Sequence, residues 1–290
     1  MTGVFDGEKM GTRRSSPLPK GKLLALFDVG NTHTHIGLAN GRRVVRRINV
    51  CTADWSNGQA EKQALKFFRG VSLSGAAICS VVPAVTPMVS FFIEQKFGVP
   101  ALALTARTVT GLGIDYPKPE TIGPDRLANA VAARHRFGAP VVVVDFGTAV
   151  TFDIVDRRGC YIGGIIAPGL EVMTSYLHEK TALLPRIKIR EVKATIGRNT
   201  EEAMLIGAVH GYRGLIRELL AQLQTTLKTA KLPVVATGGY ARLIAAKLPE
   251  ITAIEPLLTL EGLRLTWEAK SREPDAKGGE RPCKLSETEL

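Results

Sequence analysis

The chain has 290 residues, 45% of them apolar, and a formal net charge of +11. That supports one large core or two ordinary ones, and no run reaches the roughly 18 to 20 apolar residues that a membrane-crossing helix needs. The four cysteines, Cys51, Cys79, Cys160 and Cys283, form no CxxC pair, so neither a zinc site nor a disulfide framework is indicated.

Residues 1–22 lack the apolar centre of a signal peptide and are expected to form a disordered leader, with a cytoplasmic location as the default. The LLALFD and HIGLAN runs then pair as a hairpin through the GNT turn, and RVVRRINV follows Asn40-Gly41, a strong hairpin signal. SGAAICSVV reads as a buried strand, AVTPMVSFFIEQKF as a helix and VPALALT as a strand. GPDRLANAVAARHRF is a predicted helix with Pro124 at its first position. PVVVVDFG and AVTFDIVD make a second hairpin, with CYIGGIIAPG as the next strand. Helices are predicted over 170–183, 201–225, 240–248 and 260–270, with the PVVATGG strand feeding the third. The charged, Gly/Pro-containing stretch 271–290 is expected to be disordered.

Each half of the chain therefore begins with an apolar strand ending in Asp, then a Gly/Thr turn, then a second strand. A dinucleotide-binding turn opens into a helix instead, and neither GxGxxG nor GxxxxGK[ST] occurs. In the first turn, Asp28, Gly30, Asn31 and Thr32, closed by Gly37, would expose backbone N–H groups in a nest suited to phosphate oxygens. Asp28 would hold a divalent cation, because Mg²⁺ takes few carboxylates and keeps waters. An Asx-stabilised hairpin without a ligand is the plainer alternative. His33 and His35 alternate along the strand with no third ligand nearby, which favours surface positions over a metal site.

The second turn, with Asp145, Gly147, Thr148, Thr151 and Asp153, repeats the logic of the first. Two such turns can clasp the phosphate chain of ATP from both sides. The glycines of TGGYA at 237–241 let a base or ribose approach the backbone. In the GPDR run, Asp125 stands in the first turn of a helix, where the dipole favours its ionised form, and an ionised carboxylate can accept a hydroxyl proton. Arg126 can grip a carboxylate with its fork. Simple helix capping would explain the same residues. Gly207 and Gly211 lie four apart on one helix face, where close packing within the chain is favoured over packing against another copy.

In order along the chain, DVGNTHTHIG, Tyr116 seven residues ahead of GPDR, DFGTAVTFD, GGIIAPGL, GRNT, TGG and LTLEGLRL resemble type III pantothenate kinase, of the actin-like ATPase superfamily. The resemblance implies an α/β fold of two actin-like (ribonuclease H-like) lobes, 23–120 and 121–270, with an ATP cleft between them. It implies ATP-dependent phosphorylation of pantothenate to 4′-phosphopantothenate, the first step of coenzyme A synthesis. ATP would be bound by Asp28, Val29, Gly30, Asn31, Thr32, His33, Thr34, His35 and Thr148. Pantothenate would be bound by Tyr116, Gly123, Pro124, Asp125, Arg126 and Thr200. Asp125 would be the catalytic base, Asp28 would hold Mg²⁺ through water, and Asp145 would coordinate a monovalent cation, K⁺ or NH₄⁺. A homodimer would shape the pantothenate pocket from both subunits.

Two other readings stay open at this level. One is a nucleic-acid-binding regulator on the same scaffold, motivated by the basic charge and by Arg42, Arg43, Arg46 and Arg47, although no helix-turn-helix, zinc finger or aromatic-basic motif is present. The other is a related kinase for a different small hydroxy acid or sugar.

Overall fold

The computed structural model describes residues 22–229 and 231–272. The expected leader up to residue 21 and the expected tail from 273 lie outside the described residues. Two sheets carry the fold. The first contains β1 (Leu23–Val29), β2 (His33–Ala39), β3 (Val44–Cys51), β4 (Leu73–Ser80) and β5 (Ala101–Ala103) in the order β3-β2-β1-β4-β5. The second contains β6 (Gly113–Ile114), β7 (Val141–Phe146), β8 (Ala149–Val155), β9 (Cys160–Pro168), β10 (Val234–Thr237) and β11 (Ala253–Ile254) in the order β11-β10-β7-β8-β9-β6.

The two sheets repeat one plan. In each, an antiparallel three-strand meander is extended from its first strand by two parallel strands. The β1–β2 and β7–β8 hairpins of the sequence reading are both formed. Parallel neighbours require crossovers, and helices supply them: α1 (Gln59–Phe67) and α2 (Thr86–Phe97) in the first half, α4 (Leu170–Lys180), α5 (Thr200–Ile206), α6 (Tyr212–Thr226) and α7 (Ala241–Ala245) in the second.

Helices α3 (Pro124–Phe137) and α8 (Leu258–Arg272) lie between the sheets. One continuous core joins Leu24, Leu26 and Ala77 of the first sheet, Leu127 and Val131 of α3, Val141, Val143 and Val235 of the second sheet, and Leu260 and Leu263 of α8. Burying each such leucine stabilises the fold by about 1.5–3 kcal/mol. Because strand side chains alternate, Ala25 and Phe27 of β1 face the other way, into a second core with Trp55, Phe67 and Phe92. A third core packs Phe146 and Phe152 against Tyr212, Ile216 and Ile244. The α3–α8 contact depends on Gly262, where any Cβ would strike the carbonyl of Ala128.

The structure departs from the sequence reading at several points. Helix α1 was not anticipated: its buried residues Ala60, Ala64 and Phe67 include only one large apolar side chain. The helix expected over 201–225 is α5 and α6 joined by a π-helical turn, Gly207–Gly211. Nothing lies within 4 Å of a Cβ built on Gly207 or Gly211, so this pair does not mediate packing among the described residues of the chain. Cys51 and Cys79 are free thiols.

Candidate active site

Strands β1 and β7 occupy equivalent places in their sheets, and each carries a carboxylate at its penultimate position. Asp28 pairs in register with His35 on β2 and with Cys79 on β4. Asp145 pairs with Thr151 on β8 and with Thr237 on β10. The turns beyond them are tight: the Gly30 N–H donates to the His33 carbonyl at 3.0 Å, and the Gly147 N–H to that of Ala149 at 3.1 Å. The two turns face each other, and the Thr32 and Thr148 hydroxyls share a hydrogen bond of 3.2 Å. A cavity of about 260 Å³ opens beside them, lined by Asp28, His35, Asp145, Gly238, Gly239 and Thr259, among others.

Helix α3 brings Asp125, in its first turn, within electrostatic reach of Asp28 and Asp145. Pro124 occupies the first helical turn as expected, and Asp125 Oδ1 accepts from the Arg126 N–H at 2.9 Å. Three carboxylates are thereby brought within each other's field. Burial pushes Asp28 up to about 7, with repulsion from Asp125 adding to it. Burial likewise pushes Asp145 up to about 6, against the pull of its hydrogen bond from Asn129. Asp125 is also raised, by burial, and the Arg126 N–H and guanidinium only partly offset that. The expectation that the helix dipole would leave Asp125 more readily ionised is therefore corrected: desolvation outweighs the helix terminus.

Arg126 is held as a fixed fork. Its Nε donates to Asp153 Oδ1 at 2.5 Å and its Nη2 to the Phe152 carbonyl at 2.7 Å. Its guanidinium lies over the Tyr161 ring, 5.9 Å from the centroid, and Tyr161 makes an edge contact with Tyr116 at 6.1 Å. Tyr116, Arg126 and Asp125 thus lie along one connected wall. Asp153 is fully buried, pushed up to about 7 by desolvation despite Arg126, and its Oδ2 has no hydrogen-bond partner among the described residues.

The remaining expected residues divide into groups. Asn31, Thr32 and His33 are exposed in or beside the first turn. His33 stacks on His35 at 6.4 Å, and His35 Nδ1 meets Asn49 Oδ1 at 2.9 Å. Val29 and Thr34 point into the core: Thr34 Oγ1 accepts from Trp55 Nε1 at 3.1 Å. These two offer the cavity only their backbone. Thr200 begins α5, capped by Asn199, whose side chain accepts from the Glu202 N–H. Among the described residues, no hydrogen bond or ion pair joins Thr200 to Tyr116, Asp125 or Arg126.

Sequence reasoning missed Asn129, Cys79, Thr259 and the role of Tyr161. The Asn129 amide donates to Asp145 Oδ2 at 3.1 Å and Cys79 Sγ to Asp28 Oδ1 at 3.4 Å. A polar Asn within an alanine-rich buried helix face was the available signal for the first. Gly238 carries φ +90°, and a Cβ there would come 2.5 Å from Asp145 Oδ1 and 2.6 Å from the Phe146 backbone, so the TGG turn lies directly over the second carboxylate.

Twin strand–turn–strand units, each with a carboxylate near the end of its first strand and meeting over a shared cavity, give the chain an actin-like fold. The solved structures agree at the level of fold. A conserved protein from Campylobacter jejuni described as a candidate Baf family transcriptional activator superposes with a TM-score of 0.52 at 17% identity, covering 85% of this chain and 98% of that one. A candidate N-acetylmannosamine kinase from Listeria monocytogenes superposes at 0.51 and 12% identity, covering 86% and 99%. Sequence similarity is narrower. The type III pantothenate kinase family matches residues 24–222. A type III pantothenate kinase of Methylacidiphilum infernorum is 44% identical over 84% of this chain and 88% of its own length, and that of Akkermansia muciniphila is 44% identical over 83% and 96%. The chain belongs to the type III pantothenate kinase family.

Proposed function

We propose that the protein transfers the γ-phosphoryl group of ATP to the primary hydroxyl of pantothenate, giving 4′-phosphopantothenate for coenzyme A synthesis, with Asp125 as the base. The observation that carries this is the placing of Asp28 and Asp145 on the cavity beside the two touching turns, with Asp125 within electrostatic reach of both, in a chain of this family. The ATP phosphates would lie on the turn N–H groups and on Thr32 and Thr148, between lobes 23–120 and 121–270. Tyr116, the Gly123–Arg126 run and Thr200 would hold pantothenate. Asp125, raised by burial, is better matched to taking a hydroxyl proton near neutral pH than an ordinary aspartate, and positioning does most of the remaining work in phosphoryl transfer.

The donor set fits cations. Crowded, desolvated carboxylates at Asp28 and Asp145 gain from a neighbouring positive charge. Among the described residues no group of three or more His, Cys, Asp or Glu is arranged to hold a metal by itself. That suits Mg²⁺, which takes one or two carboxylates and completes its shell with phosphate oxygens and water. Asp28 would hold Mg²⁺, and Asp145 a monovalent ion, K⁺ or NH₄⁺. Bound with ATP, these ions would supply charge neutralisation along the phosphate chain.

A homodimer would complete the pantothenate pocket, with Thr200 contributing to it. Among the described residues no helix is long and apolar enough to cross a membrane, in keeping with a cytoplasmic enzyme. The regulator reading gains nothing: the Campylobacter likeness supports the fold alone. The test is purified protein with ATP, Mg²⁺ and pantothenate, with K⁺ present or replaced by Na⁺. ADP release coupled to 4′-phosphopantothenate, and slower in Na⁺, is expected. Turnover with a sugar or another hydroxy acid, and none with pantothenate, would overturn the substrate.

A further inference from the structure

Asn129 is 1% exposed and sits among Leu127, Ala128, Ala130 and Val131 on the buried side of α3. A buried primary amide is costly unless both ends are bonded, and both are. Its Nδ2 donates to Asp145 Oδ2 at 3.1 Å, and its Oδ1 accepts from Thr259 Oγ1 at 2.8 Å. The direction of this chain follows from chemistry. An ionised carboxylate only accepts, so the NH₂ end must face Asp145, the carbonyl end must face Thr259, and the threonine hydroxyl must donate.

The chain links three separate pieces of the molecule. Asp145 is the penultimate residue of the central strand of the second sheet. Asn129 is one helical turn beyond Asp125, so the two share a face of α3. Thr259 stands in the first turn of α8, which packs across the first sheet. With Oδ2 taken by Asn129 and the Gly238 turn lying over Oδ1, the Asp145 carboxylate has one orientation relative to Asp125.

We propose that Asn129, its amide oriented by Thr259, is a positioning residue that sets Asp145 against the helix carrying Asp125 and so fixes the spacing between the phosphate chain and the base. Asn129 is not among the residues lining the cavity; Thr259 is, and its part here is to orient the Asn129 amide. The proposal deepens the kinase reading above and rests on it.

The test is a double-mutant cycle on the full chain with Asn129→Ala, Thr259→Val and the pair, together with Thr259→Ser. Each protein is assayed for kcat and for KM of ATP and of pantothenate. ATP binding is measured separately by calorimetry with Mg²⁺, and thermal midpoints are recorded without nucleotide. Asn129→Ala is expected to lose about tenfold in kcat/KM for ATP, as the loss of a hydrogen bond to a charged group does. Thr259→Val should lose a smaller factor, the pair should be no worse than Asn129→Ala, and Thr259→Ser should behave as wild type. Additive losses across the cycle, or wild-type ATP affinity and kcat in Asn129→Ala, would overturn the proposal. If Asn129→Ala does not fold, near-isosteric Thr259→Val decides: unchanged ATP affinity and kcat overturn it. A wild-type protein that binds ATP but ignores pantothenate would instead overturn the substrate assignment, and the calorimetric cycle would still read the role of Asn129.

Discussion

The hydroxyls of Thr32 and Thr148 lie 3.2 Å apart, although 116 positions separate them in the chain. Each belongs to the turn after an acidic strand, so their contact closes one turn on the other. In the proposed reaction a triphosphate would replace this bond with its own oxygens. Thr32→Val or Thr148→Val should therefore raise KM for ATP about three- to tenfold, the size expected for one lost hydrogen bond, with kcat changed less. Steady-state kinetics at saturating pantothenate check this, and an unchanged KM in both variants would show that neither hydroxyl contacts the nucleotide.

Asp125 is the group assigned to the proton. Asp125→Asn keeps the shape and the acceptor for the Arg126 N–H but cannot take a proton. Its kcat should fall by about 10²–10⁴, while calorimetric ATP affinity stays within a few-fold of wild type. Turnover close to wild type would remove Asp125 from the chemistry.

The Arg126–Asp153 pair joins α3 to β8 at 2.5 Å, with the two side chains 15% and 0% exposed. Removing one member of a buried pair leaves the other charged and unpaired. Asp153→Ala should cost about 3–5 kcal/mol in urea unfolding, and it should raise KM for pantothenate more than KM for ATP, because Arg126 belongs to the Tyr116 wall. A denaturation midpoint equal to wild type would mean that the pair contributes no net stability.

Four carboxyls are raised in the folded state: Asp28 and Asp153 to about 7, Asp145 to about 6, and Asp125, which burial also pushes up. A group whose value rises on folding holds its proton more tightly when folded, so its contribution is complete below its unfolded value near 4 and is lost as pH climbs through its folded value. The nucleotide-free protein should thus melt lower at pH 8 than at pH 5.5 at matched ionic strength, by differential scanning calorimetry. ATP with Mg²⁺ should raise the midpoint more at pH 8, where the carboxylates are ionised. A midpoint that rises from pH 5.5 to 8 without ligand would contradict these assignments.

The hairpins of Asp28 and Asp145 were legible because apolar runs, turn residues and strand period coincide in a few positions. Pro124 and the GPDR run likewise marked the start of α3. Helix α1 was not legible, since alanines hide its buried face. The balance at Asp125 was not either: the favourable helix terminus is local, while the desolvation that outweighs it comes from strands far off in sequence. The partner of Asn129 is 16 positions away on β7 and that of its carbonyl 130 positions away on α8, and no short-range pattern carries such pairings. The contact of Gly262 with Ala128 is invisible for the same reason.

Helix α8 covers β1 although more than two hundred residues of chain separate them. During synthesis at about 5–20 residues per second, the first strand leaves the ribosome on the order of ten seconds or more before the helix that shields its inner face. Leu24 and Leu26 wait, exposed, over that interval. The nascent chain therefore offers chaperones a sticky surface until α8 emerges, and the cavity that Thr259 and Leu260 help to line is completed only then.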